Sequence, residues 1–270
     1  MNKFHRNGLL MGAVSLLLLF SVGCATQQTE NSSERGDFFE AAKVDLARLP
    51  SEVIRDSNET LLRKDNFTAL LLAGGASIAM HNSDADKNVA ENVENHQAFS
   101  GFYDESLNII GSPGTHFALA GLWYAISVDN QDDFNKQRAW TMIRALSVTG
   151  MTTLTLKAIR HNDSPNGEPW AWPSGHTSSS FTVASVLDEF YGPKVGIPAY
   201  IGASLVAYRM LDAGDHWASD VVFGATLGWI VGHTIAGKHK QLEIAGFQVL
   251  PYSGGTGRDR GFGVLLMKRF

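Results

Sequence analysis

The chain has a single cysteine, Cys24, among 270 residues, so it can form no intrachain disulfide. It also has no basic surplus. Its 22 lysines and arginines are outnumbered by 27 acids, giving a net charge of −5 and no electrostatic basis for binding nucleic acid. The acids of residues 84–94 lack the spacing of a calcium loop and read as a solvated face. Mean hydropathy is −0.07. No apolar segment is long and breaker-free enough to span a bilayer comfortably.

The start of the chain has the pattern of an export signal. Lys3 and Arg6 precede an apolar stretch over residues 9–20, followed by Ser21-Val22-Gly23-Cys24. We read residues 1–23 as a signal peptide. Cys24 stands where a bacterial lipoprotein signal, which this run resembles, places its lipidated cysteine; an ordinary cleaved signal with a stray cysteine is the alternative. Lipidation would anchor the protein to a membrane durably. Ala25 follows in place of an aspartate, which by analogy with lipoprotein sorting favours the outer membrane. The expected location is the bacterial cell envelope, outside the cytoplasm and facing the periplasm. Residues 24–36 lack apolar periodicity and read as a lipidated cysteine with a flexible tether.

Residues 37–240 carry helical spacing and predict an all-α domain, a bundle of about six main helices. Helices are expected over 38–49 and 51–64, split by Pro50, and then over 67–80, where Gly74 and Gly75 would allow close helix contact. Further helices are expected over 116–128, 138–159, 177–191, 195–211 and 219–235. The last two are apolar nearly all round, which fits a bundle centre or a membrane-grazing surface, the centre being favoured. Period-two alternation at Phe247 and Val249, and again at Phe262, Val264 and Leu266, predicts a C-terminal β-hairpin within residues 241–270, packed on the bundle.

Residues 157–220 hold a separate pattern. Trp172-Pro173-Ser174-Gly175-His176-Thr177 opens a helix. The first turn of a helix leaves backbone N–H groups without acceptors and carries the positive end of the dipole. Gly175 lets an anion approach that backbone, Ser174 adds a hydroxyl, and His176 stands at the edge to exchange a proton. His216 and Asp220 are four residues apart, one helical turn, so the carboxylate can fix the imidazole tautomer and leave the other nitrogen nucleophilic. Arg209 offers a planar fork for two oxyanion oxygens, and Lys157 a point charge. Such positioning and charge neutralisation are what phosphoryl transfer needs, and side chains can supply the charge without a metal or cofactor.

These residues resemble the type 2 phosphatidic acid phosphatase superfamily, which also contains vanadium haloperoxidases and bacterial class A acid phosphatases. Its pattern is Lys-x6-Arg-Pro, then Pro-Ser-Gly-His, then Ser-Arg-x5-His-x3-Asp. Lys157 and Pro165 match the first block, residues 173–176 the second, and Arg209, His216 and Asp220 the third; the resemblance extends over roughly residues 60–236. It implies an acid phosphatase/haloperoxidase-like helical fold with His216 as nucleophile forming a phosphohistidine and Asp220 orienting it. His176 would be the general acid, with Lys157, Ser174, Gly175 and Arg209 holding the phosphoryl group. A metal-independent phosphatase acting on lipid phosphates or small phosphate esters is implied. The alternatives are a vanadate-dependent haloperoxidase and a catalytically silent lipoprotein. The sequence departs from the pattern in three ways. Ser164 stands where the family has arginine, with Arg160 a candidate replacement cation. Tyr208 replaces a serine. Six residues in place of five separate Arg209 from His216, and Gly214 is expected to absorb the extra one.

The remaining histidines are expected in bland roles: His81, His96, His161 and His239 at the surface, His116 capping a helix, and His233 satisfied within a core. Trp170 and Trp172 are expected to pack in the core or to grip an apolar leaving group at the pocket mouth.

Overall fold

The structure, a computed structural model, describes residues 38–237, 242–244, 247–254 and 261–268, with side chains described for 38–237. The signal peptide, Cys24 and the tether expected over residues 1–36 lie outside the described residues, as does His239. Nine helices are described: α1 (Phe38–Leu61), α2 (Lys64–Asn82), α3 (Ala85–Glu94), α4 (Phe102–Gly111), α5 (Pro113–Asp129), α6 (Asp133–Arg160), α7 (Gly175–Tyr191), α8 (Pro193–Asp212) and α9 (Ala218–Gly237). Strands β1 (Leu242–Ile244), β2 (Phe247–Gly254) and β3 (Gly261–Lys268) follow. They form an antiparallel sheet in which β2 and β3 make the expected hairpin, from Phe247 opposite Lys268 to Gly254 opposite Gly261, and β1 adds a third, short strand. The fold is all-α, as expected.

Local chemistry explains most boundaries. Ser112 accepts from the Thr115 N–H and Pro113 occupies the first turn of α5. Asp132 caps α6 through the Asn135 N–H. Gly192 at φ 72° ends α7, and Pro193 starts α8. The bundle centre is α9, whose Phe223, Leu227, Ile230, Val231 and Ile235 are buried against α6 and α7. Its face towards α7 is a glycine stripe. A Cβ on Gly224, Gly228 or Gly232 would stand 2.9 Å from Ser174 O, 2.2 Å from Ser178 O and 2.7 Å from Thr182 O respectively. Small residues on both helices thus bring the two backbones together.

The structure departs from several expectations. Residues 38–61 are one helix, not two: Pro50 and Leu46, whose carbonyl loses its partner, are both solvent-exposed, while Asp45, Val53 and Asp56 on the other face are buried. The Asp56 carboxylate pairs with Arg144 Nε at 2.9 Å. The glycines that mediate close packing are those of α9. Gly74 would meet Phe223 at an ordinary 3.7 Å, and Gly75 faces open space. Of the last two helices only α9 is central, since α8 leaves Ile197, Ile201, Leu205 and Tyr208 exposed along one stripe. Among the described residues no helix is long and apolar enough to cross a membrane. Helix α4 was not anticipated; at ten residues it is too short to hold itself together and relies on tertiary contacts.

Candidate active site

The site forms where the C-terminal ends of α6 and α8 meet the N-terminal ends of α7 and α9. Ser174 caps α7, its buried hydroxyl accepting from the Thr177 N–H at 3.3 Å, and its own N–H donates to Asp220 O at 3.2 Å. This bond ties the start of α7 directly to the first turn of α9. A Cβ on Gly175 would meet only Thr153 and Pro113, at 3.9 and 4.0 Å, so the turn is open on that side.

His216 sits just ahead of α9, not on it, with its N–H donating to Met210 O at 3.1 Å. His216 Nδ1 lies 3.5 Å from Asp220 Oδ2, an ion-pair contact without a hydrogen bond, and Asp220 is fully buried. Asp220 Oδ2 also accepts from the Trp217 N–H at 2.9 Å, which folds the carboxylate back over the helix start. The loop before His216 turns at Gly214. Gly214 takes φ 69°, and its carbonyl accepts from Asn166 N–H at 3.1 Å, joining the loop after α6 to the loop after α8.

Lys157, in the last turn of α6, donates to the carbonyls of Trp170 and, at 3.1 Å, Ala171. Burial pushes its pKa down to about 8, against the pull of the Asp220 charge. Ser164 is only 5% exposed; it donates to Asn166 Oδ1 at 2.5 Å and accepts from the Glu168 N–H at 3.0 Å. It therefore organises the turn over residues 164–168. The Arg160 guanidinium lies over the Trp172 ring, 5.0 Å from its centre.

His176 is close enough to feel its neighbours' charges. Burial first, then the charges of His216 and Arg209, lower its pKa to about 4, while Asp215 and a hydrogen bond to the Asn108 backbone oppose them. Arg209 is buried and thoroughly engaged. Its Nε and Nη2 donate to Asp104 Oδ1 at 2.7 Å and Oδ2 at 3.2 Å, and Nη1 donates to Asn108 Oδ1 at 3.3 Å and to Asp215 Oδ2. Burial opposes its charge, but these hydrogen bonds and the Asp215 and Asp104 charges hold its pKa above the ordinary value.

Several neighbours escaped the sequence reading. Asp104 and Asn108 did so because α4 was not foreseen; Asp215 was visible only as part of the extra loop residue. His116 is not a helix cap but a half-buried neighbour of the site. Its Nδ1 lies 3.1 Å from Ser179 Oγ, and burial with the His176 charge brings its pKa to about 4. Asp86 is not part of a solvated face: it is 2% exposed and accepts from Ser219 N–H at 2.9 Å and Ser219 Oγ at 2.6 Å, next to Asp220. His81 is drawn in with it, Nδ1 lying 3.2 Å from Asp86 Oδ2. These residues brace the start of α9 from behind. His96 and His161 are exposed as expected. His233 is half-exposed, not held in a core, stacking on Trp229 and pairing with Glu189 at 2.5 Å. Trp172 is core, packed on Phe223 and donating to Ser77 Oγ at 2.8 Å, whereas Trp170 is 42% exposed.

Residues 152–242 match the PAP2 superfamily. Among curated proteins, a lipid A 1-phosphatase from Porphyromonas gingivalis is 37% identical over 65 residues; the chain spans only 15% of that relative's length, using 23% of its own. Among solved structures, the fold is similar to that of the first transmembrane PAP2 type phosphatidylglycerolphosphate phosphatase from Bacillus subtilis, with a TM-score of 0.57 at 17% identity over 64% of this chain and 94% of that one. Aquifex aeolicus LpxE also matches, at 23% identity and a TM-score of 0.46, over 54% of this chain and 90% of that one. All three ordered motifs, Lys157 to Pro165, Pro173 to His176 and Arg209 to Asp220, lie within the segment that matches the PAP2 superfamily, on a helical fold similar to that of the Bacillus subtilis phosphatase.

Proposed function

We propose that the protein is a phosphatase that hydrolyses phosphate esters through a phosphohistidine on His216. The observation that carries this is the convergence of His216 with its buried partner Asp220, His176, Lys157 and Arg209 around the first turn of α7. The phosphoryl group sits against the Gly175 and His176 N–H groups, with Lys157 and Arg209 on its equatorial oxygens. His216 Nε2 attacks phosphorus as the ester P–O bond breaks, and His176, neutral in the empty site but charged once the phosphoryl anion binds beside it, donates its proton to the leaving oxygen. Neutral His176 then takes a proton from water, which attacks phosphorus and releases phosphate and His216. Asp220 holds the Nδ1 proton throughout and stabilises the imidazolium.

A lipid phosphate is the substrate class we favour. Phe102, Tyr103, Ile109 and Ile110 are exposed on α4, the helix that contacts Arg209 and His176, so the wall of the site is apolar on its outer side. The relatives named for lipid A and phosphatidylglycerolphosphate phosphatase activity support the same class. Anchoring through Cys24 would keep this wall near a bilayer.

Phosphate release from nitrophenyl phosphate and from phosphatidic acid, each with vanadate or EDTA, tests the reading. Vanadate-sensitive, EDTA-resistant release that is faster on phosphatidic acid is the expected result. No release from either substrate sinks the phosphatase reading, and vanadate-dependent oxidation of halide by peroxide would replace it with the haloperoxidase.

A further inference from the structure

Every nitrogen of the Arg209 guanidinium already has an acceptor. Asp104 takes Nε and Nη2 side-on with both carboxylate oxygens, at 2.7 and 3.2 Å, while Nη1 is held by Asp215 and Asn108. That two-point grip is the contact a phosphoryl group makes with a guanidinium. We propose that Asp104 is an internal competitor for the phosphoryl group: its carboxylate holds the Arg209 fork in the empty site, an oxyanion enters as Asp104 swings out, and Asp104 thereby sets how tightly the site holds phosphate. This rests on the reading of Arg209 as a phosphoryl-holding residue.

The two partners are unequally free to move. The Arg209 side chain is 8% exposed and that of Asp104 is 33% exposed, so Asp104 is the one that can turn towards water. A buried guanidinium without a counter-charge is costly, and Asp104 supplies one whenever phosphate is absent. Binding is therefore an exchange of anions.

Helix α4 does not have to leave with the side chain. Its approach is pinned by Asp212, whose carboxylate accepts from the Ala98 and Phe99 N–H groups at 2.8 and 2.9 Å. Its end is pinned where Gly111 packs on Val206, so closely that a Cβ would stand 2.3 Å from Val206 Cγ1. A rotamer change of Asp104 is enough, and Asn108 stays to hold Nη1.

Two consequences follow for the reaction. Inorganic phosphate, the product, binds weakly and is displaced as Asp104 returns. An ester with an apolar group brings contact energy of its own to displace Asp104, so the device discriminates against bare phosphate. With Ser164 in place of the family's arginine, Arg209 carries more of the anion affinity, and the competitor weighs more.

The test is calorimetric titration of the full chain with inorganic phosphate, comparing wild type, Asp104→Asn and Asp104→Ala. Glu105→Gln, an exposed neighbour, removes the same charge without the contact. If Asp104 holds Arg209 in nine of ten molecules, its removal tightens phosphate binding about tenfold, because apparent affinity scales with the competent fraction. Glu105→Gln should change it by less than about twofold. Unchanged or weaker binding in the Asp104 variants overturns the proposal, as does equal tightening in Glu105→Gln, which would reveal a general field effect. Loss of folding in both Asp104 variants overturns it too, since the carboxylate would then be a structural pin. Nitrophenyl phosphate hydrolysis that depends on His216, with no change in phosphate affinity, sinks this proposal and leaves the phosphatase. No binding and no hydrolysis in any of the proteins sinks both.

Discussion

Along the α7–α9 contact, Gly224, Gly228 and Gly232 let backbone meet backbone, whereas across the site α4 reaches Arg209 only through the side chains of Asp104 and Asn108. The first wall carries Asp220, the cap residue Ser174 and the first turn of α7. Its geometry is set by steric contact, and the Ser174 N–H to Asp220 O bond locks the two helix starts together. In the second wall α4 is pinned at Gly111 and by Asp212, but its hold on the Arg209 fork is made of ionic contacts that one rotamer can exchange. On the proposed mechanism, the nucleophile fixed in place falls to the rigid half, and the anion admitted and released to the adjustable half.

The largest effect should come from the rigid half. His216→Ala is expected to lower turnover at least a thousandfold, on the order of what nucleophile removal costs elsewhere; retained kcat on nitrophenyl phosphate would remove the mechanism. Packing comes next. Gly228→Ala places a methyl 2.2 Å from Ser178 O and should cost about 1–3 kcal/mol or more, whereas Gly75→Ala meets nothing within 4 Å and should stabilise α2 by roughly 0.5–1 kcal/mol. Thermal melts of the two variants shifting alike would break the contrast between the walls.

Protonation tests both halves at once. His116 and His176 have pKa values lowered to about 4 in the fold from 6.5, so the unfolded chain binds more protons between those values. The stability that their neutral state contributes is complete above about pH 6.5 and is lost as pH falls through 4. Melting temperature should therefore decline over that window, and less so in His116→Gln; parallel declines would exclude His116 as a contributor. The smallest effect is expected at Ser164. Ser164→Ala removes the bonds to Asn166 and Glu168 and should cost about 1 kcal/mol with kcat unchanged, since the side chain organises a turn. A large kcat loss would instead place the hydroxyl in the reaction.

Much of the site could be read from spacing because its residues lie in short blocks. Ser174-Gly175-His176 is a helix start, and the cap that Ser174 makes is a bond between residues three apart. His216 and Asp220 pair although His216 lies off the helix, because the turn through Gly214 and Trp217 brings the imidazole back. Asp104, by contrast, reaches Arg209 across 105 positions of sequence, and Asp86 reaches Ser219 across 133. No local pattern marks such partners, and an acid on a polar segment looks solvated until another helix covers it.

Local patterns thus specified most of the helices and the helix start at Ser174, since each rests on bonds between residues a turn or two apart. Packing of distant segments settled the rest: which glycines let helices touch, that Pro50 sits within one continuous helix, and that α4 exists and closes on Arg209. Those outcomes depend on burial and charge balance summed over segments far apart in the chain. There a single residue's preference is smaller than the contacts that override it.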